Sequence, residues 1–316
     1  MTFIFINFLR GIKLENYDVI IVGGGPAGLT AGIYAGRQNL KTLILDKELA
    51  GGQAREVPVI DNYPGFSMVS GLEIIEKTKS QTSKYADIHE FEEVLDVFNE
   101  NHSFIVKTSK GEYTSKAIIL TTGSRHRQLD VKGENEHLGK GVSYCATCDG
   151  MFFKGKDILV VGGGNTAAID AIYLKDLGCN VTLVHRRDRL RCQKYLEDQL
   201  IESKIPIIWN TTVEAIEGEP LVSNVKLLNK DGTKSEISVN GVFIAVGDIP
   251  HNKIAEKLNL KLSDDGSILC DKYQRTGLCN VYAAGDVTGG LKQWIVACGE
   301  GAVAAISAYE DIIKNS

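Results

Sequence analysis

No run of apolar residues in this chain approaches the ~20 that a helix needs to cross a bilayer. Basic residues are not in surplus either, since the net charge is −5. The first absence excludes a membrane-spanning helix. The second disfavours nucleic acid and anionic membrane as partners, because both require a basic face. Low-complexity segments are missing. So is a secreted disulfide framework: of 7 cysteines only 145 and 148 stand close together, and the number is odd. The cytoplasm is therefore the expected compartment. The apolar opening Thr2–Leu9, followed by Arg10, has neither the basic start nor the small-residue cleavage site of a signal peptide. It reads as an extra packed or frayed segment, or as an over-long start.

What is present fills 316 residues, more than one core usually organises, so two domains are expected. Apolar β-branched runs alternate with helical stretches, the pattern of parallel sheets covered by helices. One βαβ unit starts at Tyr17–Val22, turns at Gly23-Gly-Gly25 and returns as Lys41–Asp46. A second starts at Lys156–Val161, turns at Gly162-Gly-Gly164 and returns as Asn180–His185. After the first, Phe104–Thr108 and Glu112–Thr114 flank Lys110-Gly111 as a hairpin, and Ala117–Gly123 is expected as a separate buried strand. The plan recurs with Val225–Leu228, a turn at Asp231-Gly232, and Gly241–Gly247. Asn280–Asp286 reads as one more strand ending in an acid, before a final helix from about Gln293 to Ile313. Linkers are expected at Ser124–Asp130 and Gly247–Asn252.

In Gly23-x-Gly25-Pro26-Ala27-Gly28, the first glycine permits a tight turn and the second lets backbone N–H groups approach a pyrophosphate. The third lets the helix pack on its strand. Asp46, ending the next strand, is placed to accept a ribose hydroxyl proton. Strand, turn, helix and acid in register point to dinucleotide binding rather than to a merely structural turn. Gly162-x-Gly164-Asn165-Thr166-Ala167 has the same context, but its strand ends in His185-Arg186-Arg187, with Arg191 beyond. Guanidinium forks suit a 2′-phosphate and a carboxylate would repel it, which indicates NADP rather than NAD. The plainer alternative is a solvated basic helix start.

Cys145-Ala-Thr-Cys148-Asp149 lies just before the second βαβ unit. Two intervening residues allow the thiols to close a small disulfide ring and to cycle by thiol–disulfide exchange. Zinc would need a second such pair or paired histidines, and the chain has neither. Asp149 could give and take the proton that thiolate chemistry requires, or cap a helix beginning near Gly150, or do both.

Taken together, these residues resemble the low-molecular-weight thioredoxin reductases over nearly the whole chain. The matching segments are Gly23–Leu29, Gly51-Gly52-Gln53, Asn62–Gly65, Cys145–Gly150, Gly162–Ala167, His185–Asp188 and Ala283–Asp286. The resemblance implies an α/β fold of two Rossmann-like nucleotide-binding domains, the FAD domain discontinuous at 1–126 and 249–316 and the NADPH domain at 127–248. It implies that Lys47, Gly51, Gly52, Gln53, Asn62, Thr122 and Gly123 bind FAD together with the first glycine turn and Asp46. Gly285, Asp286, Lys292, Gln293 and Trp294 would complete that site. It further implies a homodimer that passes electrons from NADPH through FAD to the Cys145–Cys148 disulfide and on to thioredoxin or a thioredoxin-like protein. Cys148, beside Asp149, would be the sulfur that faces the flavin. The remaining cysteines are expected to pack as small hydrophobes. Four positions depart from the family pattern: Lys292 where arginine is common, Trp294 in place of a small residue, Ile169 in place of an acid, and Asp248 where histidine is common.

Overall fold

The computed structural model describes residues 14–57, 60, 62–100 and 103–314. The opening segment Thr2–Leu9 lies outside the described residues. The chain divides into two compact units, one of residues 1–125 and 249–316 and the other of residues 126–248.

The first part of the chain runs β1 (Glu15–Val22), α1 (Pro26–Arg37), β2 (Thr42–Leu45), α2 (Gly71–Thr82), β3 (Asp87–His89), β4 (Val94–Glu100), β5 (Ser103–Thr108), β6 (Glu112–Leu120) and β7 (Ser124–His126). Within the second unit come β8 (Val142–Ser143), α3 (Ala146–Asp149), β9 (Asp157–Gly162), α4 (Asn165–Asp176), β10 (Asn180–Val184) and α5 (Lys194–Glu202). It continues with β11 (Ile207–Ile208), β12 (Thr211–Gly218), β13 (Val222–Asn229), β14 (Lys234–Ser238) and β15 (Gly241–Ala245). The chain then returns through β16 (Asp248–Pro250) to α6 (Lys253–Lys257), β17 (Val281–Ala283) and α7 (Trp294–Lys314).

In the first unit the sheet order is β3-β2-β1-β6-β5-β4, with β17 also paired to β6. Val19–Val22 is a continuous buried run because both faces of its strand are covered. Pro26 opens α1 with its fixed φ, where a missing N–H costs nothing. Gly301 of α7 sits so close to α1 that a Cβ there would lie 2.1 Å from the Ala27 carbonyl, so only glycine allows this helix contact. Glu112–Leu120 is one strand rather than the hairpin strand and separate buried strand expected. It runs parallel to β1 along nearly its whole length, while its polar first half also pairs antiparallel with β5 and its apolar second half parallel with β17.

The second unit carries the parallel sheet β11-β10-β9-β15-β8. Its meander, β12-β13-β14, is a separate antiparallel sheet, whereas the first unit's meander is continuous with the parallel strands. The segments expected as linkers contain β7 and β16, which pair in a two-stranded ladder.

Candidate active site

Parallel register assembles each site. In the first unit Val22 stands opposite both Leu45 and Leu120, and Ala283 opposite Leu120. The segments after these residues therefore leave the sheet along one edge, the carboxyl end where open α/β sheets bind ligands. That edge carries Gly23–Gly28, Asp46-Lys47, Thr122-Gly123 and Gly285-Asp286. Gly23 has φ +107° and Gly28 lies so near it that a Cβ would sit 1.9 Å from the Gly23 carbonyl oxygen. Asp46 folds back on this turn: its Oδ2 accepts from Gly24 N at 2.7 Å and its Oδ1 from Glu48 N at 2.9 Å. Burial raises its pKa. Lys47 is exposed and pairs with Glu48. Gly51 N–H reaches the Gly24 carbonyl at 2.8 Å and Gly51 and Gly52 both take positive φ. Gln53 donates to the Ser124 carbonyl, whose own buried hydroxyl has no hydrogen-bond partner among the described residues. Asn62 Nδ2 donates to Gln293 Oε1 at 3.0 Å, across a long stretch of sequence. The unusual Trp294 is edge-on to Tyr63, with ring centroids 5.8 Å apart, and packs at the rim of the core. Lys292 precedes it at the entrance to α7. Thr122 Oγ1 donates to the His251 carbonyl at 2.6 Å, and Gly123, at φ +68°, accepts from His251 N.

One residue here carried no motif. Glu300 of α7 accepts from Gly285 N at 2.7 Å, tying the loop that bears Asp286 to the helix; burial raises its pKa, and the Asp286 charge adds to this.

The second unit repeats the arrangement, with Val184 opposite Val161 and Ala245 opposite Gly162. A Cβ on Gly163 would lie 2.2 Å from the imidazole of His185. His185 is buried and its Nε2 bonds the Arg189 carbonyl at 3.0 Å. Burial lowers its pKa, and the charges of Arg187 and Arg191 add to this. Arg191 N–H bonds the Gly163 carbonyl at 2.7 Å, and Asn165 Oδ1 accepts from Gln193 N at 2.9 Å. The arginine-bearing strap is thereby docked on the glycine turn. Arg186, Arg187 and Arg191 are exposed, and none forms a salt bridge with a carboxylate among the described residues. Thr166 is exposed beside the turn, and Ala167 is buried in the third-glycine position.

Cys145 and Cys148 form a disulfide, S–S 2.07 Å and Cα–Cα 5.3 Å, at the start of α3. Both are half-buried. Cys145 is the N-cap, its sulfur accepting from Cys148 N at 3.2 Å. Asp149 stands before the turn Gly150–Phe153 but makes no side-chain cap bond there. Its Oδ2 instead accepts from Ser143 Oγ at 2.6 Å, and Ser143 Oγ accepts from Cys145 N at 3.0 Å. The capping role is therefore absent, because the carboxylate is drawn to the strand hydroxyl beneath it. Burial raises the Asp149 pKa. The other cysteines are unpaired thiols. Among the described residues no group of three or more His, Cys, Asp or Glu could hold a metal ion.

Two parallel-sheet units, each with a glycine turn at its carboxyl edge and one carrying a disulfide, define an oxidoreductase that couples nucleotide and disulfide chemistry. Residues 17–301 match the family described as pyridine nucleotide-disulphide oxidoreductase. The chain is 41% identical to a thioredoxin reductase of Listeria monocytogenes, over 95% of this chain and 96% of that protein. A thioredoxin reductase of Treponema pallidum is also 41% identical, over 95% and 99%. A solved thioredoxin reductase from Streptococcus pyogenes superposes with a TM-score of 0.89 at 38% identity, covering 96% of this chain and 100% of that one. The chain belongs to the pyridine nucleotide-disulphide oxidoreductases, and within them to the low-molecular-weight thioredoxin reductases, which use FAD and NADPH.

The residues fit these two cofactors. At Gly25 and Gly164, the N-caps of α1 and α4, no side chain caps the helix and a Cβ would meet nothing within 4 Å. Each helix thus presents unclaimed N–H groups and its positive end to open space, as an anionic pyrophosphate requires.

Proposed function

We propose that this chain is an NADPH-dependent thioredoxin-disulfide reductase of the cytoplasm, acting as a homodimer. The observation that carries the reading is the Cys145–Cys148 disulfide, borne on the same unit as a dinucleotide turn flanked by uncompensated arginines. Residues 1–126 and 249–316 would hold FAD through Gly23–Gly28, Asp46, Gln53 and Gly285-Asp286. Residues 127–248 would hold NADPH through Gly162–Ala167, Arg186, Arg187 and Arg191. Bound FAD supplies the redox centre that takes electrons from NADPH and delivers them to the disulfide.

The protein's own chemistry then follows. The net reaction consumes NADPH, a proton and an oxidised thioredoxin, and yields NADP⁺ and a thioredoxin dithiol. Once Cys145 and Cys148 are reduced, one thiolate attacks a sulfur of the partner's disulfide and forms a mixed disulfide. The second cysteine attacks the first, closing Cys145–Cys148 again and releasing the partner dithiol. Asp149, with its raised pKa and its link through Ser143, supplies and recovers the proton. Met151 and Phe152, exposed just beyond the disulfide, offer apolar surface to a small protein partner. Nicotinamide and disulfide both belong to 127–248 and cannot meet one flavin face together. That supports rotation of this part about the segments 124–130 and 247–252, a gating motion.

A visible spectrum tests the whole scheme. The purified protein should be yellow, bleach on titration with NADPH, and recover on addition of oxidised thioredoxin. The Cys148→Ser variant should bleach without recovering. A colourless protein that refuses FAD, or a Cys148→Ser variant with full thioredoxin turnover, refutes it.

A further inference from the structure

A cavity of about 300 Å³ opens beside the end of β10. Arg186 lines it from just past that strand, Asn210 and Thr212 from either side of the first residue of β12, Asn229 from the last residue of β13 and Lys230 from the turn that follows. The backbone fixes this juxtaposition. Asn210 N–H bonds the Arg187 carbonyl at 3.1 Å, and Lys230 N–H bonds the Asn210 carbonyl at 2.8 Å. Asn229 is registered opposite Thr211, whose own N–H bonds the His185 carbonyl. The turn that carries Lys230 is therefore strapped to the segment that carries the arginines, although some forty residues separate them in sequence.

The charges around this cavity are of one sign. No carboxylate lines it, and neither Arg186 nor Lys230 forms a salt bridge among the described residues. The neighbouring Asp231 is turned into its own loop, where Oδ1 accepts from Thr233 N at 2.8 Å. Two like charges on a shared cavity repel, and a bound dianion turns that repulsion into attraction. The volume is about ten times a water molecule's share of the liquid, enough for a phosphate monoester and its ribose. The asparagines and Thr212 add neutral hydrogen-bonding groups.

We propose that Lys230 is a further specificity-determining residue, holding with Arg186 the 2′-phosphate by which NADPH differs from NADH. This rests on the reading of 127–248 as the NADPH-binding part. Its test is calorimetric titration of the full-length FAD-loaded protein with 2′,5′-ADP and with 5′-AMP. Lys230→Gln should weaken 2′,5′-ADP about tenfold, the loss of one charge-assisted contact, and leave 5′-AMP within about twofold. Lys230→Arg should recover most of the loss. The salt dependence of 2′,5′-ADP binding should be shallower in Lys230→Gln, and in turnover the loss should fall on KM for NADPH rather than kcat. Unchanged 2′,5′-ADP affinity in Lys230→Gln, or an equal loss of both ligands, overturns the role of Lys230. A wild-type protein that does not prefer 2′,5′-ADP over 5′-AMP overturns the NADPH assignment itself.

Discussion

Asp170, on α4 one residue past the anomalous Ile169, has its pKa pushed up to about 7 by burial and then by the charge of Asp248. Asp248 is itself paired with His126, Nδ1 to Oδ1 2.6 Å, and His126 stacks on Tyr144 with ring centroids 4.8 Å apart. Asp248, one of the positions that depart from the family pattern, is thus held in a pair with His126. A carboxyl whose folded pKa lies above its unfolded value of 3.8 favours the fold while protonated. That contribution is complete at acid pH and is lost as pH rises through about 7. Asp170→Asn should therefore flatten the fall in Tm between pH 5 and pH 8 and raise Tm at the alkaline end. Parallel Tm curves for the two proteins across that range would reject the assignment. Motif residues such as Gly23, Cys145 and Arg187 were legible in the sequence because each does its work through its own backbone or its own chemistry. Glu300, Asp170 and Lys230 were not, since each meets its partner across a stretch of sequence, and Ser143 was not because no motif marks the hydroxyl that Asp149 accepts from.

At the scale of the element, the two βαβ turns are built alike but buttressed differently. The first is closed by the Asp46 carboxylate on Gly24 N. The second is closed by the His185 ring, which fills the space a Gly163 side chain would occupy. His185 cannot swing away cheaply, because it is buried and bonded to the Arg189 carbonyl. Gly163→Ala should therefore push the 185–191 strap outward, an overpacking cost of about 1–3 kcal/mol. We expect KM for NADPH to rise about tenfold with the flavin absorbance intact, and steady-state kinetics beside a visible spectrum would show it. An unaltered KM would mean that the strap is not what holds the nucleotide. The continuity of β6 was invisible in the sequence for a related reason: beside the shared neighbour β1, its polar half meets β5 and its apolar half β17, and hydrophobic patterning reports burial rather than strand ends.

At the scale of the molecule, the chain enters and leaves the 126–248 unit through two short paired strands rather than through loose linkers. If rotation about these crossings gates turnover, kcat with thioredoxin should fall as solvent viscosity rises, while FAD affinity stays constant. A kcat indifferent to viscogen would place the slow step in the chemistry. By itself the sequence determined the α/β class, the two glycine turns, the vicinal cysteines and the arginine strap. These are local: spacing, turn geometry and side-chain type suffice to specify them. Only the tertiary structure decided which carboxylate pins Gly285, which hydroxyl holds Asp149, and that Lys230 shares a cavity with Arg186. Each pairing depends on where the folded backbone sets two side chains, from the short reach of Ser143 to Asp149 to the strapping of a distant turn beside Arg186, and no residue pattern encodes that.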